Sequence, residues 1–215
     1  MVETVGITKA ITNLNDIRSK FNLSEATDPQ FFTEWYEELP EIGESEKQSL
    51  NRLKNRYLYY AAEGPITEGT VNIIMLSPLL ELMGLCDPPF KVLGEQYVKV
   101  EIEGGGEEEP ILEGFIDALV VRNKLWVVLI ESKRSSFSVL QALPQTLGYM
   151  MANPTSEMPA FGMITNGEDY IFIKLNKQVR QYGLSNKFTA PSIDENNNLC
   201  RVMRVMKRII GLVLQ

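Results

Sequence analysis

The sequence contains no histidine. That absence removes Ser-His-Asp and Cys-His hydrolases, imidazole-bound zinc and nucleases that use a histidine base. Any chemistry therefore falls to carboxylates, lysines, hydroxyls and bound ions. Cysteine is nearly as scarce. Cys86 and Cys200 are too few for a disulfide framework and lack zinc-ligand spacing, so free buried thiols are expected. No apolar stretch approaches the roughly 20 residues that span a bilayer. The N-terminal "MVETVGITKA" lacks the basic and apolar regions of a signal peptide. A cytoplasmic protein with no membrane association is expected. Positive charge is also short: 21 Lys and Arg stand against 28 Asp and Glu, for a net charge of −7. Affinity for phosphate comes mainly from cations that release counterions. The chain as a whole offers nucleic acid no attraction, and any such role must rest on a local basic surface.

What is present is an ordinary globular composition: 215 residues, 44% hydrophobic and 23% charged, enough for one domain with an appendage. The first 65 residues read as a helical and rather polar extension. In "SEKQSLNRLKNRYLYYAAEGP", Ser45 is placed to cap a helix, and Leu50, Leu53, Tyr57 and Tyr60 recur at spacings of three and four. Upstream, "TDPQFFTEWYEELP" reads as a short helix from Asp28-Pro29 to Pro40, with Phe31, Phe32, Trp35 and Tyr36 at core spacing. From Thr67 the pattern changes. "TEGTVNIIMLSPLLELMGL" is an apolar helix with a kink expected at Pro78 and an end at Gly84. Strand patterns follow in "EQYVKVEIEG", "ILEGFIDALVV" and "KLWVVLIESK", with the acidic "GGGEEEP" read as a mobile loop. "SVLQALPQTLGYMMANP" reads as a helix with a break or new first turn at Pro144. A hairpin with Asn166-Gly167 at its turn comes next, and the amphipathic "LCRVMRVMKRIIGLVL" closes the chain. The expected division is an N-terminal extension (1–65), a core (66–178) and a C-terminal loop and helix packing on it (179–215).

The third strand pattern ends in an unusual way, with Glu131, Ser132 and Lys133 at the close of a buried apolar run. Alternation puts Glu131 and Lys133 on one side and Ser132 on the other. If the preceding strand pairs antiparallel, Asp117 arrives at the same end. A two-residue turn alone would set Asp117 opposite Ile130, whereas a three-residue connection or a bulge sets it opposite Glu131, and the latter is predicted. Two carboxylates held close repel unless a cation lies between them, which suggests a hard divalent ion such as magnesium or manganese. The Ser132 carbonyl could add a third oxygen. With a neighbouring lysine, those parts suffice for phosphodiester hydrolysis without histidine.

The order of elements and the motif of Asp117 followed by Glu131-Ser132-Lys133 closely resemble the PD-(D/E)XK nuclease superfamily. Gln145 and Tyr149, four apart on the following helix, resemble the Q-x-x-x-Y feature of the branch that includes type I restriction subunit N-terminal domains and RecB-like nucleases; Gln141 continues the stripe. The resemblance covers roughly residues 66 to 175. It implies an α/β (α+β) restriction-endonuclease-like core, with a central mixed sheet of about five strands flanked by helices. It further implies a metal-dependent deoxyribonuclease with Asp117 and Glu131 as metal ligands joined by Glu68, Lys133 as activator, and Gln145 and Tyr149 as auxiliary site residues. Ile116 stands where the family name places proline.

Plainer readings exist for each residue. Glu131 and Lys133 could form an edge-of-sheet ion pair of little energetic value, and Glu68 could merely complement a helix dipole. Glu113 is more often a solvated strand residue, though it could line the same face. Ser135 and Ser136 are expected to cap the next helix. Arg122, Lys124 and Arg134, and Arg201, Arg204, Lys207 and Arg208 on the last helix, are candidate phosphate contacts. The functional alternative is a catalytically inactive nuclease-fold module that binds DNA or protein, as a homodimer or with other subunits.

Overall fold

Two stretches of buried aliphatic residues organise the chain around one sheet. In the computed structural model, residues 3–102, 110–123, 125–190 and 198–214 are described. Strands β3 (Phe90–Val100), β4 (Ile111–Arg122) and β5 (Leu125–Ser132) form an antiparallel meander. Val127, Val128, Leu129 and Ile130 are all buried. Such a continuous apolar run marks a strand covered on both faces. β5 then pairs in parallel with β6 (Ala160–Thr165), and β6 pairs antiparallel with β7 (Asp169–Asn176). The crossover between β5 and β6 carries helix α6 (Leu143–Met151), as a parallel connection requires. α6 starts with Pro144 in its first turn, where a missing N–H costs nothing.

The central mixed sheet flanked by helices is as the sequence implies, but it is wider than five strands. Nine described strands take part. The additional members are short: β1 (Thr4–Gly6) on β4, β2 (Ser24–Glu25) on β8 (Gln181–Leu184), and β9 (Phe188–Thr189) on β7. The first 65 residues are therefore not purely helical. Besides α1 (Ile7–Ala10), α2 (Leu14–Phe21) and α3 (Glu44–Ala61), they contribute two strands to the sheet.

One face of the sheet is covered by α1, α2 and α6, which bury Ile7, Ile17, Phe21, Leu143, Leu147 and Met150 against Leu112, Ile116, Leu129 and Ile173. The other is covered by α3, α4 (Glu68–Val71), α5 (Ser77–Leu82) and α7 (Leu199–Val213), over Val120, Val128, Ile130, Met163 and Phe172. Between α4 and α5 a π-helical turn spans Asn72–Leu76. It ends two residues before Pro78, whose ring would clash with the carbonyl four residues back in a regular helix. The wider turn is the form the expected kink takes.

Several local expectations are corrected. Residues 28–40 form turns instead of a helix. Phe32 is nevertheless buried, and Trp35 packs edge-on to Phe188 at 6.2 Å between centroids. The cap of α3 is Gly43, whose N–H donates to Glu46 Oε2 at 2.7 Å; Ser45 already lies within the helix. Tyr60 is exposed while Leu50, Leu53 and Tyr57 are buried. Cys86 is exposed. The acidic "GGGEEEP" run lies mostly outside the described residues.

The basic residues of α7 are drawn inward. Arg204 donates to the Pro40 and Leu39 carbonyls at 2.8 and 3.0 Å and pairs with Glu41, Lys207 pairs with Glu46, and Arg208 pairs with Glu38. These cations tie α7 to segment 38–46, which leaves Arg201 as the one described basic residue of that helix outside such pairs. It sits over the Phe188 ring at 5.4 Å.

Candidate active site

Asp117 lies at a fork in the sheet. β5 follows one edge of β4 from Ala118 to Arg122, and β1 follows that edge from Ile111 to Glu113. Between them the edge has no strand partner among the described residues, and the Asp117 carboxylate occupies the opening. Its Oδ2 accepts the Ser132 backbone N–H at 2.7 Å and the Ser132 hydroxyl at 3.1 Å. Ser132, expected to face away, thus still reaches the site. The next backbone N–H, of Lys133, turns to the other neighbour and donates to the Thr165 carbonyl of β6 at 2.8 Å.

The register that brings Asp117 there follows from a bulge. Arg122 pairs with Leu125 across a two-residue turn, in which Asn123 adopts φ 49°. Alone, that turn would set Asp117 opposite Ile130. Val121 pairs with Trp126 but Val120 pairs with Val128, so Val127 is an extra residue in β5. The shift sets Ala118 against Ile130 and, continued by one residue, Asp117 beside Glu131.

Glu131 has no solvent exposure. Its Oε2 accepts a long hydrogen bond from Lys133 Nζ at 3.4 Å, and its Oε1 is buried with no partner among the described residues. Lys133 Nζ also stands 3.7 Å from Asp117 Oδ2. Burial first, and then the charge of Asp117, push the Glu131 carboxyl up to about 8. For Lys133, burial opposes the ammonium, but the negative charges of Glu131, Asp117 and Glu68 outweigh it and hold its pKa above that of an ordinary lysine. A buried carboxylate with an orphan oxygen costs free energy unless a proton or a cation satisfies it.

Glu68 opens α4 behind the Thr67 cap, whose Oγ1 accepts the Thr70 N–H at 3.3 Å. Its carboxyl is held above the usual range by burial, with Lys133 opposing and Asp117 reinforcing the shift. It is close enough to feel the site's charges, yet no three acidic or thiol side chains among the described residues stand close enough together to hold one ion. The strands thus bring the carboxylates of Asp117 and Glu131 together around Lys133, with Glu68 at the periphery.

What anchors Glu68 was not legible from local sequence. Ser135 does not cap the following helix. Its Oγ accepts the Ile66 N–H at 2.8 Å and its own N–H donates to the Ile66 carbonyl at 3.0 Å. The turn residue Asn166 is a second anchor, donating from Nδ2 to the carbonyls of Ser135 at 3.3 Å and Phe137 at 2.9 Å. Only Asn166 carried a signal, as half of an Asn-Gly turn.

Gln145 and Tyr149 do come together on α6, with Gln145 Nε2 donating to the Tyr149 hydroxyl at 3.0 Å. The ring lies against Gly114 of β4. A Cβ there would stand 2.7 Å from Tyr149 Cε1, so only glycine admits the tyrosine. Burial and then the charge of Glu131 raise the Tyr149 pKa. Gln141 is exposed in a 3-10 turn, Val139–Ala142, off the α6 stripe. Glu113 accepts the Tyr97 hydroxyl at 2.5 Å. Arg134 is exposed, and Lys124 lies outside the described residues.

No protein-family model matches the chain, and no curated protein matches it. Among solved structures, it is similar to a fragment described as an HsdR subunit of a type I restriction enzyme from Vibrio vulnificus YJ016. The identity is 16% and the TM-score 0.42, over 68% of this chain and 26% of that one. The chain thus spans about a quarter of that protein fragment. No helix among the described residues is long and apolar enough to cross a membrane.

Proposed function

We propose that the chain is a cytoplasmic, metal-dependent nuclease of the PD-(D/E)XK type that hydrolyses phosphodiester bonds in DNA. The observation that carries this reading is the convergence of Asp117, Glu131 and Lys133 at the β4–β5 fork, with Glu131 fully buried and its Oε1 unpartnered. Asp117, Glu131 and the Ser132 carbonyl would hold magnesium or manganese. A bound divalent ion supplies Lewis acidity toward a phosphoryl oxygen and a lowered pKa for water.

The remaining chemistry belongs to the chain. A water oxygen attacks phosphorus, the bond to the leaving oxygen breaks, and a proton passes to that oxygen. Lys133, kept protonated by its acidic surroundings, donates hydrogen bonds to the attacking oxygen and stabilises the charge developing on the phosphoryl group. Gln145 orients the Tyr149 hydroxyl, which packs beside Glu131 and limits water around it. The rival reading, an inactive module that binds DNA or protein, draws support from the internal ion pairs that occupy Arg204, Lys207 and Arg208.

The purified chain with millimolar magnesium or manganese is expected to nick or degrade DNA, and a chelator to stop it. Magnesium should also perturb the emission of Trp126, which lies on β5. Absence of both cleavage and any metal response would favour the rival reading.

A further inference from the structure

Helix α3 stands apart from the rest of an acidic chain. From Lys47 to Ala61 it carries Lys47, Arg52, Lys54 and Arg56 and no acidic residue, within a net charge of −7. Its inner side buries Leu50, Leu53 and Tyr57 in the layer that holds α5 and α7. Its outer side exposes Gln48, Arg52, Asn55, Arg56 and Tyr59, which recur at spacings of three and four and form one stripe. The two arginines are bonded to neutral groups. Arg52 Nη2 donates to the Ser49 hydroxyl at 3.0 Å, and Arg56 Nη1 to the Ile74 carbonyl at 3.2 Å. A cleft of about 330 Å³ between α3 and α5 has one carboxylate in its described lining, Glu81, which forms no ion pair with either arginine. The contrast with α7 is direct, because Arg204, Lys207 and Arg208 are each paired with a carboxylate.

We propose that the outer face of α3 binds duplex DNA, with Arg52 and Arg56 on phosphates of one strand and Gln48 and Asn55 as further donors to the backbone. Phosphate contacts need cations that are not already paired internally, and a guanidinium matches phosphate geometry through two parallel N–H bonds. One helical turn separates the two arginines, which sets their Cβ atoms about 5–6 Å apart and lets both reach one strand at once. A single strand would need rings between the cations on which its bases could stack. The stripe offers one ring, that of Tyr59, at its far end and 71% exposed. The face also adjoins the candidate site. Ile74, whose carbonyl holds Arg56, lies with Glu68 on one continuous helical stretch, roughly 9 Å away along its axis. That is about three base steps of a duplex. The inference rests on the nuclease reading for the identity of the polymer and deepens it by assigning the surface on which the duplex is seated.

Binding can be measured without catalysis. The full chain in excess chelator is titrated by anisotropy against labelled duplexes of two unrelated sequences, over a range of salt concentrations. In Arg52→Gln/Arg56→Gln both side chains stay polar, and the unfolding midpoint verifies the fold. Affinity is expected to fall at least about tenfold for both duplexes, because phosphate contacts carry no sequence information. The salt slope of log affinity should become shallower by about 1.8, roughly 0.9 for each phosphate no longer neutralised. Arg52→Gln alone leaves the Arg56–Ile74 bond intact and should lose half of that slope. Lys9→Gln/Arg18→Gln removes the same charge from α1 and α2, on the other face of the sheet, and should bind as wild type. No duplex binding by the wild type, unchanged affinity and slope in the arginine variants, an equal loss in the α1–α2 control, or tighter binding of oligothymidylate than of duplex overturns the proposal. The two readings fail separately. Duplex binding through the arginines without metal-dependent cleavage sinks only the nuclease assignment, and cleavage of duplex with unchanged KM in the double variant sinks only the α3 surface.

Discussion

Lys133→Ala is expected to lower the rate of metal-dependent DNA cleavage by roughly 10²–10³, the usual effect of removing one preorganised group that stabilises transition-state charge. Position and charge both point to this. Lys133 Nζ lies within 3.4 Å of Glu131 and 3.7 Å of Asp117, and its side chain is 16% exposed, so it points into the site while still reaching solvent. Its backbone N–H bond to Thr165 does not depend on the side chain, and the β5–β6 pairing should persist in the variant. Loss of activity with an unchanged circular dichroism spectrum therefore reports on chemistry. Because Lys133 is proposed to act on the reacting group, the loss should appear in kcat and not in KM. Activity equal to wild type would remove Lys133 from the mechanism.

Glu131→Gln is expected to do two opposite things. It should abolish cleavage by removing a metal donor, and it should stabilise the metal-free protein at neutral and alkaline pH. The sign follows from the pKa. Burial raises the folded-state carboxyl from 4.5 to about 8, so the folded protein binds this proton more tightly than the unfolded chain. The contribution to stability is full below about pH 4.5 and is lost as pH rises through 8. Each tenfold difference in proton affinity is worth about 1.4 kcal/mol. The Lys133 ammonium has already moderated this shift, and the variant should gain on the order of 4 kcal/mol over wild type by pH 8 to 9. Urea unfolding in chelator between pH 5 and 9 measures this. Parallel pH profiles for the two proteins would mean that Glu131 is ionised without cost, contrary to its burial and orphan oxygen.

Much of this site could be read from the sequence because its parts are local. Glu131, Ser132 and Lys133 are consecutive, and Gln145 and Tyr149 are one helical turn apart. The requirement that Asp117 face Glu131 demanded an extra residue in the connection, and the bulge at Val127 supplies it within a strand, where no turn signal marks it. What escaped detection depends on distant partners. The Ser135–Ile66 bridge joins positions 69 apart, and β1 and β2, three and two residues long, are too short to show periodicity. Residues 31, 32, 35 and 36 have helical spacing, yet the chain between Pro29 and Pro40 turns irregularly. Its rings are held by tertiary packing: a Cβ at Gly183 would come within 2.9 Å of Phe31, and Trp35 leans on Phe188.

The central claim is that Asp117 and Glu131 share one divalent ion. Titration of the metal-free protein with manganese in a calorimeter, beside Asp117→Asn and Glu131→Gln, tests it most directly. One saturable site per chain is expected in the wild type, and its loss in both variants. No saturable binding by the wild type, or equal binding by all three proteins, would contradict the shared-ion site.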